Sequence, residues 1–313
     1  MRVSFIIPHK GREEMLRRTI EGILALDFDL SQIEIIVVTQ NAELAYRHEQ
    51  PQVTFKAIFR PERETISALR NVGVKEASGE FLAFIDADIE LSRNWLAVMQ
   101  EEFEAKPGRV LISAVQRCEP DAPRLELIRT LQNAAAADVA VEFLDGRNLF
   151  LPRRVFEQTG GFPEHLVTCE DYFFTYKVHQ LGEMYRTSKA TYIHLGEDKR
   201  YDEMFRKEIW RGQSNLQSLK GRKIPLREWP SILSPLWIAL WTLIAVIGVA
   251  LRSLNIFFFS IEMYFVPVLL YAIRLYRLGK GEIGFGEAVR FYLVYFPARA
   301  IGTVEGLFKI IKS

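Results

Sequence analysis

One stretch limits the architecture of this chain more than any other. Ser234 to Leu251, SPLWIALWTLIAVIGVAL, contains no charged side chain. Arg252 follows, and Ser253 to Ile273 then carries a single charge, Glu262. Each run approaches the ~20 residues a helix needs to cross ~30 Å of hydrocarbon. The connection Arg252-Ser253-Leu254-Asn255 is short enough for a tight helical hairpin. A pair of buried core helices is the competing reading, but soluble helices rarely lack a polar face for so long. Lys220, Arg222, Lys223 and Arg227 precede the first run, and Arg274, Arg277 and Lys280 follow the second. The positive-inside rule therefore predicts a membrane protein with both flanks, and the bulk of the chain, on the cytoplasmic face (the inner membrane, if the source is bacterial). Glu262 is costly in lipid; it needs a partner helix, a polar cavity or a segment that does not fully cross, so a re-entrant pair stays open.

The rest of the 313 residues leaves room for a sizeable soluble part. Forty Lys+Arg against 39 Asp+Glu give a net charge of +1, and a general nucleic-acid binder is usually more basic. Cys118 and Cys169 lie far apart, forming neither a metal cluster nor a disulfide framework. The first apolar patch, Val3 to Ile7, meets Pro8, His9 and Lys10 at once, too short for a signal peptide, and is read as a buried strand. From about Glu287 onward, apolar residues alternate with Arg290, Arg299, Lys309 and Lys312. That pattern predicts one or two amphipathic helices on the membrane surface, broken or kinked at Pro297, with a helix packed on the soluble part as the competing reading.

Residues 1 to about 200 alternate strand and helix signals. Strands are expected at Val3–Ile7, Glu34–Val38, Thr54–Phe59, Phe81–Ile85 and Val110–Ala114, with helices such as Arg12–Leu26 and Thr65–Ala77 between them. Short apolar strands separated by helices predict an α/β fold, a mainly parallel sheet covered on both faces. The expected organisation is a catalytic domain over 1–211, a basic linker over 212–230, two membrane helices over 231–277 and an amphipathic helical segment over 278–313. In such sheets the ligand crevice opens at the carboxyl ends of the strands. Phe81-Leu82-Ala83-Phe84-Ile85 runs straight into Asp86-Ala87-Asp88 there. A D-x-D pair alone usually marks a solvated turn, but at a buried strand's end two carboxylates make a hard oxygen site for Mg2+ or Mn2+. Cys169-Glu170-Asp171 follows the turn-forming Gly160-Gly161-Phe162-Pro163, and His194 closes Ala190-Thr191-Tyr192-Ile193.

Taken in order, three blocks resemble family-2 glycosyltransferases of the GT-A fold: SFIIPHKGREEMLRRTIEGIL, SALRNVGVKEASGEFLAFIDADIE and GRNLFLPRRVFEQTGGFPEHLVTCEDYFFTYKVHQLG. The resemblance implies an inverting transfer of sugar from a nucleotide-diphosphate donor to an acceptor, with Mn2+ or Mg2+ as cofactor. Asp86 and Asp88 would meet the donor diphosphate and the metal, with His194 completing the metal site. Asp171 would be the general base, and Glu170 and Asn148 would meet the acceptor. Pro8, Arg12 and Arg70 would lie along the donor; for Arg70 a helix-face salt bridge is the rival reading. The family commonly ends its second strand with an Asp that contacts the base; here Thr39-Gln40-Asn41 stands there, so Gln40 takes the place and the base is left open. The Gln-x-x-Arg-Trp run of processive synthases is absent, which favours single additions.

A phosphate acceptor is already anionic and needs no general base, so Glu170-Asp171 favours a hydroxyl acceptor on a glycan or lipid carrier. Basic residues between Lys199 and Arg227 are expected to meet anionic head groups of membrane lipids. A polyprenyl-phosphate sugar synthase and a catalytically silent nucleotide-sugar-binding scaffold are the alternatives.

Overall fold

A computed structural model describes residues 1–133, 136–219, 224 and 226–312. The predicted flanking charges Lys220, Arg222 and Lys223 lie outside the described residues. The chain divides into two compact units, Met1–Pro120 with Ala136–Glu197, and Asp121–Ala135 with Asp198–Ser313.

The first unit is built on a nine-stranded sheet. Its strands are β1 (Val3–His9), β2 (Ile33–Thr39), β3 (Thr54–Phe59), β4 (Phe81–Ile85), β5 (Ile89–Leu91), β6 (Arg109–Arg117), β7 (Val139–Val141), β8 (Asn148–Pro152) and β9 (Glu183–His194). All seven residues of β1 and of β2 are buried, and both read as mainly apolar runs, with Ser4 donating to the buried Glu34 between them. They pair in parallel with Val3 opposite Ile33 and His9 opposite Thr39. The order along the sheet is β3-β2-β1-β4-β8-β6-β9-β5. Pairing is parallel among β3, β2, β1 and β4 and between β6 and β9; β8 runs antiparallel to both its neighbours. The expectation of a mostly parallel α/β sheet therefore holds.

This order decides where a ligand goes. From β1 the chain moves outward to β2 and β3, then returns to the other side of β1 as β4. The β1/β4 boundary is thus a topological switch point, the place where sheets of this kind bind ligands beyond the carboxyl ends of the strands. Pro8 to Arg12 leave the first of those ends, and Asp86 to Asp88 the second.

Helices α1 (Glu13–Leu24), α2 (Ile66–Glu76), α3 (Trp95–Ala105), α5 (Arg153–Thr159) and α6 (Glu170–His179) belong to the same unit, whereas α4 (Arg124–Asn133) belongs to the other. Leu16, Thr19, Ile20 and Ile23 form the buried stripe of α1 at the spacing of one helical face. Helix α1 starts after Arg12, which sits at φ 48° and so cannot be its first residue. Thr65 caps α2 through its hydroxyl, which accepts from Ala68 N.

In the second unit, α4 groups with α7 (Tyr201–Gly212), α8 (Trp229–Ala250), α9 (Leu254–Leu278) and α10 (Phe285–Lys312). Helices α8 and α9 are long and apolar enough to cross a membrane, at 22 and 25 residues. Only 22% of the most apolar window of each is buried within the chain, and Leu240, Leu243, Val246, Phe258 and Leu270 face outward. Glu262 turns outward as well.

Two expectations are corrected here. Helix α10 runs unbroken through Pro297, and its residues Phe291, Tyr292, Phe296 and Ala300 are buried, with α10 packed along α7, α8 and α9. An interior proline costs ~3 kcal/mol, whereas burying each large apolar side chain stabilises by ~1.5–3 kcal/mol, so packing outweighs the lost bond. Further, Lys207 and Arg211 turn toward buried carboxylates: Lys207 lies 2.8 Å from Asp198, and Arg211 lies 2.5 Å from Glu208, which Arg299 also meets. Lys207 and Arg211 are thus held by internal acids, which narrows the head-group expectation to exposed residues such as Arg200 and Arg206.

Candidate active site

Every predicted site residue lies in the first unit. At the end of β1, Gly11 and Arg12 both take left-handed backbone angles, φ 64° and 48°. Asn41 fixes that turn: its Oδ1 accepts from Gly11 N at 2.7 Å and its Nδ2 donates to Glu13 at 2.7 Å. The turn aims the half-exposed Arg12 guanidinium at Asp88, with Nη1 donating to Oδ2 at 2.7 Å.

Strand pairing brings His194 to the same carboxylate. Ile89 of β5 is opposite His194 of β9, and Leu195 N donates to Asp88 O at 2.8 Å. His194 Nε2 stands 3.4 Å from Asp88 Oδ2, and Nδ1 stands 3.1 Å from Glu197 Oε2. Burial alone would lower the imidazole's pKa, but the two flanking carboxylates raise it to about 9. Burial would raise Asp88; His194 and Arg12 instead hold it at about 2. Glu197 is fully enclosed and also accepts from Arg147 and Gln116, each at 3.1 Å. The Asp88–His194 pair supplies one hard oxygen and one imidazole nitrogen, with the ring oriented from behind by a carboxylate. Among the described residues no group of three or more His, Cys, Asp or Glu is arranged to hold an ion.

A second cluster begins two residues earlier. Arg70 of α2 is 1% exposed and bridges two carboxylates, Asp86 at 2.8 Å and Glu170 at 2.9 Å; it also donates to Gly146 O at 3.0 Å. Burial outweighs the Arg70 charge and leaves the Asp86 carboxyl above its ordinary pKa. Removing Arg70 would strand two part-buried acids, so its place is the join between the D-x-D turn and the start of α6, not an open donor surface.

Asp171 follows Glu170 in the first turn of α6. Its Oδ1 accepts from Tyr172 N at 2.8 Å and its Oδ2 from Gly146 N at 3.3 Å. A helix N-terminus favours an ionised acid. Burial, Glu170 and Asp145 prevail here and push Asp171 up to about 7. A carboxylate half-ionised near neutrality can take a proton from an alcohol. Asp171 reaches Asp88 through a continuous set of neighbours: Gly146 to Arg70 to Asp86 on one side, and Arg147 to Glu197 to His194 on the other.

Two predicted residues stand elsewhere. Asn148 is wholly enclosed in β8, its Oδ1 accepting from Ala114 N at 3.0 Å and Trp95 Nε1 at 3.3 Å. It anchors the strand beside β4 and presents nothing to an acceptor. Gln40 Nε2 donates to the carbonyls of Pro61, Glu62 and Glu64, all at 2.9 Å, and so shapes that loop. Pro8 is buried in β1.

Sequence reasoning missed Asp145, Gly146, Arg147, Gly196 and Glu197. Only the acid three residues after His194, and the turn-like Asp145-Gly146 ahead of β8, carried any signal. Gly196 has a clear reason to lack a side chain: a Cβ there would overlap Asp88 Oδ2 and stand 2.5 Å from Arg12 Nη1.

Comparison with known proteins agrees with this geometry. The family model for glycosyl transferase family 2 matches residues 4–164, just over half of the chain. Glycosyltransferase AglE of Haloferax volcanii is 23% identical over 238 residues, covering 72% of this chain and 77% of AglE. The solved structure of mannosyltransferase PcManGT from Pyrobaculum calidifontis, in complex with GDP-Man and Mn2+, superposes with a TM-score of 0.64 at 16% identity. That match covers 98% of this chain and 87% of PcManGT, and it shows the GT-A fold. A switch-point crevice edged by paired carboxylates, on a sheet of this order and under this family's model, has one assignment: the chain belongs to glycosyl transferase family 2.

Proposed function

We propose that this glycosyltransferase moves a sugar from a nucleotide-diphosphate donor to a hydroxyl group of a glycan or lipid-linked acceptor, with inversion and by single additions. The observation that carries the reading is a placement: Asp171 sits in the first turn of α6 beside Glu170, and Arg70 ties Glu170 to Asp86 of the D-x-D turn while Gly146 bridges Arg70 and Asp171. The alcohol oxygen forms a bond to the anomeric carbon, the bond from that carbon to the diphosphate breaks, and Asp171 takes the alcohol's proton. Arg12 is placed to meet the departing diphosphate. Asp88 and His194, one carboxylate oxygen and one imidazole nitrogen 3.4 Å apart, would hold a divalent cation. When bound, Mn2+ or Mg2+ supplies Lewis-acid stabilisation of the charge on the leaving nucleoside diphosphate. PcManGT, with its GDP-Man and Mn2+, supports both donor class and ion.

The α8–α9 hairpin is read as the membrane anchor, with the catalytic unit on the cytoplasmic side. Its outward apolar surface exceeds what a soluble protein tolerates. Anchoring raises the local concentration of a lipid-borne acceptor. Glu262, outward on α9, is the point at which full crossing costs most.

The test uses the full chain in detergent with a panel of nucleotide sugars. Mn2+ supports donor turnover and EDTA abolishes it, with recovery on adding the metal back. Polyprenyl diphosphate-linked sugar is glycosylated, whereas polyprenyl phosphate is not. Transfer to polyprenyl phosphate alone would overturn the hydroxyl reading, and no donor consumption at all would overturn the catalytic one.

Gly196→Ala offers a test that leaves the catalytic side chains chemically unchanged. The glycine has an ordinary φ, so alanine fits the backbone, but its methyl group displaces the Asp88 carboxylate. Turnover is expected to fall about 10–100-fold with little change in melting temperature, since sub-ångström misplacement of catalytic groups has effects of that size. Equal rates for the two proteins would show that Asp88 needs no fixed position.

A further inference from the structure

Arg70 is not the only residue of α2 that reaches the approach to α6. Its neighbour Asn71 pairs with both main-chain groups of Phe162 across 91 residues: Oδ1 accepts from Phe162 N at 2.9 Å, and Nδ2 donates to Phe162 O at 2.9 Å. The second amide hydrogen goes to Glu164 Oε1 at 2.9 Å. Thr65, the cap of the same helix, donates its hydroxyl to Glu164 O at 3.1 Å. The Asn71 amide thus acts as a neighbouring strand would, giving an irregular loop partners for its peptide groups. The turn before Phe162 is shaped for this contact. Gly161 sits at φ 82°, where a side chain is strained, and a Cβ there would stand 2.8 Å from Asn71 Oδ1.

What Asn71 fixes bears on α6. The Phe162 ring is buried; it stacks on Phe174 of α6 with centroids 4.0 Å apart, meets Phe84 of β4 edge-on at 5.1 Å, and lies under the Arg70 guanidinium at 5.0 Å. Phe174 is one turn beyond Glu170, on the same face of the helix. That face is therefore held twice, by Arg70 at Glu170 and by the Phe162 ring at Phe174. Asp171 rides between the two points. A close-packed interior passes small shifts on, so releasing the Phe162 main chain disturbs the ring, Arg70 and the first turn of α6 together. We infer that Asn71 is a positioning residue for sugar transfer: by pairing with the Phe162 main chain it sets α6, and so Asp171, against the end of β4. This role rests on Asp171 as the proton acceptor, as read above, and extends that reading to a side chain that takes no proton itself.

The test uses the full chain in detergent, with the nucleotide sugar and the polyprenyl diphosphate-linked sugar that wild type couples. Asn71→Ala lowers kcat about 10–100-fold, the effect of ångström-scale misplacement of a reacting group, while donor KM is unchanged. In an Asp171→Asn background the same change costs no more than about twofold, since no base is left to misplace. A role confined to holding the fold lowers the rate by one factor in both backgrounds, so equal factors overturn the positioning role. Wild-type kcat in Asn71→Ala overturns it too. Asn71→Asp serves if the alanine variant does not fold. It keeps the shape and an oxygen for Phe162 N, but sets its other oxygen against Phe162 O and the Glu164 carboxylate. The same loss of kcat and the same dependence on background are expected, and wild-type kcat or equal factors overturn the role. Glu164→Ala removes only the exposed bond and stays within about twofold of wild type. A loss as large as that of Asn71→Ala would move the role to Glu164 and overturn the pairing with Phe162. Failure of the underlying reading shows separately: Asp171→Asn alone would then transfer as fast as wild type.

Discussion

Asp171→Asn lowers kcat about 10²–10⁴-fold, the usual worth of a positioned general base, while the donor binds as before. The amide keeps the shape of the carboxylate, so an oxygen remains to accept from Gly146 N and Tyr172 N. What disappears is the ability to take a proton. On the proposed mechanism only ionised Asp171 is competent, and burial beside Glu170 and Asp145 raises its pKa to about 7. The rate therefore falls roughly tenfold per pH unit below neutrality and levels off above it, and Asp171→Asn has no such limb. Loss of donor binding with kcat unchanged would mark Asp171 as a group that holds substrate.

The same residue predicts an opposite effect on stability. Folding raises its pKa from 3.8 to about 7 through burial and the charges of Glu170 and Asp145, against Arg70. The native state thus holds this proton more tightly than the unfolded chain. Its contribution is fully present below about pH 4 and is lost as pH rises through 7. Asparagine carries no charge to bury, so Asp171→Asn and wild type melt together near pH 4, and the variant melts higher at pH 8. The gain is on the order of 1–2 kcal/mol, because the group is part-exposed and solvent screens its neighbours. An inactive but more stable variant is what a strained catalytic acid leaves behind. Equal melting curves at pH 4 and 8 would show that Asp171 ionises as an ordinary carboxylate.

The parts of this structure that were legible in the sequence share a cause: they are local. A strand buried on both faces must be apolar along its length, so β1, β2 and β4 announced themselves, and Asp86 and Asp88 stood out as the first polar residues after such a run. The hairpin α8–α9 was legible because its apolar length has few alternatives. The parts that were not legible depend on pairing across long stretches of chain. Arg70 meets Glu170 a hundred residues away, and Arg12 meets Asp88 across seventy-six. An arginine on a helix looks the same whether it faces water or bridges two buried acids. Asn148 read as an acceptor contact because it opens the block that resembles the family's acceptor side; its amide turned out to close the sheet against Trp95. Pro297 read as a break or kink because its cost is local, whereas the packing that overrides it comes from three other helices, with Tyr271 of α9 against Tyr292 and Phe296.

Asp88→Asn is the second large effect, at least about 10³-fold on Mn2+-supported turnover, comparable to losing a preorganised charge from an enclosed site. The argument concerns charge and donor set, not shape. Asparagine fills the same space, so Ile89 still pairs with His194 and the Leu195 N–H still meets the main-chain carbonyl of residue 88. Only the anion that faces Arg12 and His194 is gone, leaving imidazole as the remaining donor of the pair. Binding is the sharper readout. With nucleoside diphosphate present, the Mn2+ electron-resonance signal of the free ion is expected to drop on adding wild type and to persist on adding Asp88→Asn. Glu197→Gln should fall between the two, about 10–100-fold down, as expected when the group orienting a ligand histidine is weakened. The ordering separates this picture from a general loss of the fold, which would affect both variants alike and lower their melting temperatures. Should Asp88→Asn bind Mn2+ and turn over as wild type does, the cation belongs elsewhere and Asp88 serves only to hold Arg12.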